Sequence, residues 1–168
     1  MTKRTELLTL SAMFMALAVL FPMLFHAVGA GSVFLPMFWP VLAAAFFLNL
    51  PFALTVGILS PIVSTMLTGM PPISPPILHI IIIELSVLAV VTNLLYRNTS
   101  WGVFWPALIG LLLSRIILFL VVLIIAPLLG LPPQIFSTAL VLQGIPGVVA
   151  MLIVIPIIVS RIKHAPIF

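Results

Sequence analysis

The sequence predicts an all-α integral membrane protein with six transmembrane helices, and three observations lead to this fold class. First, 64% of the 168 residues are hydrophobic and only 5% are charged, which is too few to cover the surface of a soluble domain. Second, apolar runs recur along the whole length, and spans of ~20 residues leave room for about six helices. Third, these runs do not alternate apolar and polar residues as barrel strands do. We therefore expect one transmembrane domain, 1–168.

Turns that contain proline, glycine or asparagine separate the predicted helices. The first helix follows "MTKR", and we expect it to be retained because its apolar run is longer than that of a signal peptide. The second helix is short and contains Pro36 and Pro40. The predicted helices cover about 6–25, 33–48, 51–67, 77–96, 103–129 and 134–160.

The cations outside the helices predict the orientation of the bundle. With six spans, Lys3, Arg4, Arg97, Arg161 and Lys163 all fall on one side, and the opposite loops contain no lysine or arginine. The positive-inside rule then places both termini in the cytoplasm. The net charge of +4 therefore indicates a lipid bilayer and not nucleic acid.

Two ionisable residues lie at membrane depth, Glu84 in the fourth predicted helix and Arg115 in the fifth. Charged groups at this depth are unfavourable and usually face the bundle interior or a cavity. One interpretation is a structural ion pair between the two side chains. A second is that one or both point into a ligand cavity, and a third is contact with a partner subunit.

Three other polar residues are candidates for a binding site. His79 begins a narrow polar stripe on the fourth helix, and its alternative role is that of an interfacial histidine. Gln134 and Gln143, at the outer end and on a small-residue face of the sixth helix, could bind a substrate or make a packing hydrogen bond. No histidine or carboxylate stands at metal-ligand spacing from His79, and we expect neither a metal nor a cofactor.

Two segments, a pair of small residues on the first helix and a proline-rich loop, are candidates for functional surfaces. Ala12 and Ala16 form a small-xxx-small pair on the first helix, which can pack inside the chain or dock a partner. The loop Gly69–Pro76 contains four prolines and should be stiff, either as a cover over a site or as a plain connector. The chain contains no Gly-rich phosphate loop and only two carboxylate side chains, so we expect no enzyme and any ATP hydrolysis on another subunit.

These features together resemble the substrate-binding S component of energy-coupling factor (ECF) transporters, the vitamin-uptake branch of the ABC family. The likeness lies in the size, the six predicted spans, Ala12-x-x-x-Ala16, and the stretches "FLPMFWPVLAAAFF", "GILSPIVSTMLTGMPP" and "GIPGVVAMLIVIPIIVSRI". It covers most of the chain.

The resemblance implies an S-component-like bundle in a prokaryotic cell membrane and a role for each region. Ala12 and Ala16 would dock on the transmembrane coupling subunit, which works with ATPase subunits. A pocket that opens outward would bind a vitamin-like small molecule, with His26–Ser32 and Gly69–Pro76 as lids. Its candidate binding residues would be His79, Glu84, Arg115, Gln134 and Gln143.

Two other functions remain open at this point. A stand-alone secondary carrier would use Glu84 as a proton-linked acid, and internal inverted repeats would favour it, but the sequence shows no convincing repeat. A non-transporting scaffold subunit would bind no ligand and bury Glu84 and Arg115 as a pair.

Overall fold

The computed structural model describes residues 3–133 and 135–163, and this part of the chain is helical without strands. A π-helical turn, Val121–Ile125, joins the helix Phe104–Leu120 to the short helix Ala126–Leu128, so that Phe104–Leu128 is continuous. The helices are α1 (Lys3–Ala27), α2 (Gly31–Phe34), α3 (Phe38–Phe47), α4 (Leu50–Thr68), α5 (Ile77–Asn98), α6 (Phe104–Leu120), α7 (Ala126–Leu128), α8 (Thr138–Gln143) and α9 (Ile145–Lys163).

The predicted all-helical membrane architecture is confirmed, and the count of six spans stays a prediction. In the described residues, five helical segments are long and apolar enough to cross a membrane. The sixth segment, Gly31–Phe47, is shorter. Large apolar side chains are exposed along the long helices, for example Ile116 and Phe119 on α6, as lipid-facing positions require. The five segments are Lys3–Ala27, Leu50–Thr68, Ile77–Asn98, Phe104–Leu128 and Thr138–Ile162.

The single helix predicted over 33–48 is instead two short helices, α2 and α3, with a break at Leu35. Proline disfavours helical backbone in the residue before it, and Leu35, which precedes Pro36, takes a left-handed conformation with φ of 50°. The indole Nε1 of Trp39 donates a hydrogen bond of 2.8 Å to the main-chain oxygen of Phe34. The break is therefore stabilised from within the segment.

The helix predicted over 134–160 is also interrupted, because α8 ends at Gln143 and α9 begins at Ile145. Pro146 supplies no amide hydrogen for a helix that would run through this point. The first turn of α9 lies very close to the α2–α3 break. A Cβ at Gly147 would come within 2.7 Å of Val33 O and the Phe34 carbonyl carbon. Glycine is therefore the residue that permits this contact.

One end of the bundle, here called the closed end, is built around the last turn of α3. The Asn93 Nδ2 amide donates to the main-chain oxygens of Ala45 and Leu48, both at 2.8 Å, and Arg97 donates to Leu48 O at 2.7 Å. The last carbonyls of a helix have no partner within the helix, and α5 supplies partners here. Fully buried side chains pack around this point, among them Val41, Leu42, Ala44, Ala45, Leu48, Leu85, Leu88, Leu111, Met151 and Val159.

Candidate functional site

A cavity of about 290 Å³ lies at the other end of the bundle, where α1, α4 and α6 approach their C-termini and α5 begins. Its volume is at the low end of ligand pockets, which usually enclose ~300–1,000 Å³. Its wall is mostly apolar, with prolines, isoleucines and aromatic rings. The described lining residues are Pro22, His26, Gly31, Ser32, Leu35, Pro36, Met37, Phe38, Ser64, Met70, Pro71, Pro72, Ile77, Ile80, Ile81, Glu84, Arg115, Leu118, Phe136 and Leu140.

Glu84 and Arg115 meet in this wall. Arg115 donates a hydrogen bond through one terminal nitrogen to Glu84 Oε1, and the two groups form an ion pair. The Phe38 ring covers the guanidinium, with the Arg115 Cζ atom 4.5 Å from the ring centroid, which is a cation–π contact. The ion pair and the cavity position, which the sequence left as alternatives, are thus both present in one arrangement.

The ion pair leaves hydrogen-bonding capacity unused. Among the described residues, the contact with Glu84 is the one hydrogen bond of the Arg115 guanidinium, and the buried Arg115 Nε has no partner. The side chain of Glu84 is 3% exposed and that of Arg115 is 12% exposed. Little of the pair therefore reaches the open space.

The spacing along α5 explains which of its side chains reach the cavity. Ile77, Ile80, Ile81 and Glu84 follow at i, i+3, i+4 and i+7, so they share one helix face. His79 lies ~140° from Glu84 at ~100° per residue, and it is exposed outside the cavity lining. A role for His79 in binding therefore has no support from its position.

The proline loop 69–76 covers part of the cavity and is held firmly to α4. Ser64 Oγ donates to Met70 O at 2.8 Å, and Thr65 Oγ1 donates to Pro71 O at 2.7 Å. The Thr68 hydroxyl is within hydrogen-bonding distance of two main-chain oxygens, Ser64 O at 2.8 Å and Met70 O at 3.2 Å. Met70, Pro71 and the following Pro72 line the cavity. The hydroxyl groups and stiff residues of this region thus fix one wall.

The last turn of α1 and the start of α2 contribute another part of the rim. His26, Gly31 and Ser32 line the cavity, and both His26 and Ser32 are largely exposed. The imidazole of His26 lies so close to Gly31 that a Cβ at this glycine would overlap the ring. Both segments proposed as lids from the resemblance therefore border the cavity.

Of the two glutamine candidates, one lies among the described residues. Gln143 is exposed and outside the cavity lining, and Gln134 lies outside the described residues. From the same region, Phe136 and Leu140 line the cavity. Among residues 3–133 and 135–163, no three histidine or carboxylate side chains come together as a metal site would require.

Ala12 and Ala16 are exposed on α1. They line a shallow groove, here called the α1–α4 groove, together with apolar side chains of both helices. Its other lining residues are Met15, Val19, Leu20, Val63 and Leu67. The docking role of the alanine pair stays a prediction, and the pair is accessible for it.

Phe38 is the cavity residue that the sequence reasoning missed most clearly. It reaches Arg115 only because the chain turns at Leu35 and Pro36, so that the start of α3 lies across the cavity. The available sign was Pro36, which lies near the start of a helix-length apolar run. Leu118 was also missed, and the π-helical turn that follows it is a feature often found at functional sites.

The fold and the cavity define a multi-pass membrane protein with a mostly apolar cavity of small-molecule size. Residues 6–166 match the family described as ECF transporter, substrate-specific component, and the chain belongs to this family. Membership implies association with the coupling and ATPase subunits of an ECF transporter. No curated protein and no solved structure matches the chain significantly.

Proposed function

We propose that this protein captures a vitamin or a related small molecule from outside the cell and passes it to ATP-driven partner subunits in a prokaryotic cell membrane. The observation that carries the proposal is the cavity with the Glu84–Arg115 pair in its wall. A buried ion pair is unfavourable in apolar surroundings unless its hydrogen bonds are satisfied, and intramembrane charges commonly mark substrate sites.

The positions of the cations support an outward-facing cavity. Lys3 and Arg4 begin α1, whose last turns line the cavity, and Arg97 lies at the closed end. Arg161 ends α9, whose first turns pack against the α2–α3 break beside the cavity. With cations retained in the cytoplasm, the closed end faces inward and both termini are cytoplasmic.

The exposed alanine pair supports docking on a coupling subunit. Small residues permit close approach of a partner helix within a membrane, and Ala12 and Ala16 are accessible on α1. The described part of the pocket gives less support to the secondary carrier, because Glu84 is already bonded to Arg115. The scaffold alternative accounts for the pair but not for the cavity beside it.

Co-expression with the coupling and ATPase subunits tests the proposal. We expect Ala12→Trp and Ala16→Trp to abolish co-purification with these subunits and ATP-dependent uptake. The control is Met13→Trp, which adds the same bulk at an exposed position ~100° further around α1. Native mass spectrometry of the isolated protein against a panel of vitamins then identifies the ligand. Unchanged co-purification in both alanine variants would contradict the docking surface.

A further inference from the structure

We infer that the cavity takes a compact, net-neutral, mainly apolar molecule that carries one amide-like group, with a hydrogen-bond donor beside an acceptor. This inference rests on the proposed function and specifies its substrate class. Four features of the cavity carry it: its charge, its open hydrogen-bonding atoms, its apolar wall and its volume.

The charges of the cavity already cancel. Among its described lining residues, only Glu84 and Arg115 carry a formal charge if His26 is neutral, and the two are in direct contact. An anionic or cationic ligand would bring an uncompensated charge into an apolar space, which is strongly unfavourable. A neutral molecule does not disturb this balance.

The pair itself offers two complementary bonds. Glu84 has a second carboxylate oxygen that can accept, and the Arg115 guanidinium has further N–H groups that can donate. An amide, lactam or ureide presents an N–H and a C=O on one edge, so it can donate to the carboxylate and accept from the guanidinium together. Such paired bonds to charged groups are among the stronger hydrogen bonds in proteins.

The wall and the volume describe the rest of the molecule. Phe38, Phe136 and Ile80 give apolar surface to the cavity, and Pro71 and Pro72 line one side. The side chains of His26 and Ser32 supply polar groups at the rim. A space of about 290 Å³ suits a ligand of one or two rings.

Four probes with one ring separate these requirements: benzamide, benzoate, benzylammonium and methyl benzoate. Benzamide is neutral with both donor and acceptor, methyl benzoate is neutral without a donor, and the other two carry opposite charges. Binding is measured by ligand-observed NMR on the protein in lipid nanodiscs, with empty nanodiscs as the blank. We expect benzamide to bind at least about tenfold more tightly than the other three probes.

Variants of the pair should change the ranking in a defined direction. Glu84→Gln leaves a positive cavity and should favour benzoate, whereas Arg115→Gln leaves a negative one and should favour benzylammonium. The double variant Glu84→Gln/Arg115→Gln is neutral and keeps amide donors and acceptors, so it should prefer benzamide again. Where a single variant does not fold, the wild type and the double variant still decide the question.

Each contrary result overturns a defined statement. Equal or tighter binding of benzoate or benzylammonium to the wild type would overturn net neutrality, and equal binding of methyl benzoate would overturn the need for a donor. Binding of no probe above the blank would overturn the ligand class altogether. Co-purification with the coupling subunit is scored separately, so that a wrong ligand class is distinguished from a wrong proposed function.

Discussion

The two ends of this bundle are held together by different means. At the closed end, fully buried apolar side chains surround α3, and Asn93 and Arg97 bind its last carbonyls directly. At the cavity end, the helices are broken or irregular, and a smaller buried apolar cluster that includes Leu118, Val121 and Phe136 packs beside the cavity. The polar contacts at this end are one ion pair and the hydroxyls under the proline loop. A continuous core thus supports an end whose interior is left open.

This difference shows how a small membrane protein can be stable and still enclose a site. Packing in a membrane depends on close contact and interhelical hydrogen bonds, because lipid is as apolar as the helices themselves. The closed end satisfies both requirements. The cavity end leaves part of its interior open, and the buried ion pair is the contact there that should have the largest individual effect.

The largest effect is expected at the ion pair. Arg115→Leu leaves the Glu84 carboxylate buried without its partner, and we expect the free energy of unfolding to fall by about 3–5 kcal/mol. The double variant Glu84→Leu/Arg115→Leu removes both charges and should regain most of this loss. Unfolding of the purified protein in one detergent measures both. A double variant as unstable as the single one would show that the loss does not come from an unpaired buried charge.

A smaller effect is expected at the closed end. Asn93→Leu removes two hydrogen bonds to carbonyls at a fully buried position, which should lower stability by about 1–3 kcal/mol. Binding of small molecules should persist, because the cavity lies at the other end. Asn98→Leu is the matched control, since Asn98 is exposed on the last turn of the same helix. If Asn93→Leu lost small-molecule binding at temperatures where it is still folded, the two ends would not be independent.

A pair of glycine substitutions sharpens the comparison. A Cβ at Gly110 would overlap the buried Thr92 hydroxyl, and one at Gly147 would meet the main chain of Val33 and Phe34. Overpacking of this kind destabilises by ~1–3 kcal/mol. In Gly110→Ala, hydrogen exchange should quicken across α5 and α6. In Gly147→Ala, it should quicken mainly over 31–38. If both variants showed the same pattern of hydrogen exchange, the two ends would not be independent.

The smallest effect is expected under the proline loop. Thr65→Val removes the hydrogen bond to Pro71 O, and we expect stability to fall by only about 0.5–1.5 kcal/mol. Hydrogen exchange at the amides of the loop 69–76 should nevertheless become several-fold faster. Thr55→Val removes a similar hydroxyl–carbonyl bond, to Pro51 O, on the first turns of α4. It should leave the loop unchanged, and an equal change in both variants would refute a specific role for Thr65.

The sequence predicts the membrane class and the long helices well, because apolar runs of span length have few other stable forms. The interruptions are harder to predict. Pro36 and Pro40 were noted within the second segment, but whether the chain bends there or simply starts its helix later depends on contacts such as that of Trp39 with Phe34. The gap at Gly144 depends likewise on the close approach of α9 to the α2–α3 break.

The candidate site was predictable in its charged residues and not in its apolar ones. Glu84 and Arg115 stand out because charges at membrane depth are rare. Their pairing could not be derived, since it depends on the relative depth of two helices. Phe38 could not be identified without the bend at Leu35, and apolar lining residues such as Ile80 differ in no local property from lipid-facing ones.

The ion pair also determines how the protein responds to voltage. A membrane potential does ~2.3 kcal/mol of work on each elementary charge moved through 100 mV. Glu84 and Arg115 are in contact, so any motion that shifts this site through the membrane carries opposite charges over nearly the same distance. The electrical work on the two cancels. If the cargo is neutral, as proposed, its movement with this site should therefore be insensitive to the membrane potential.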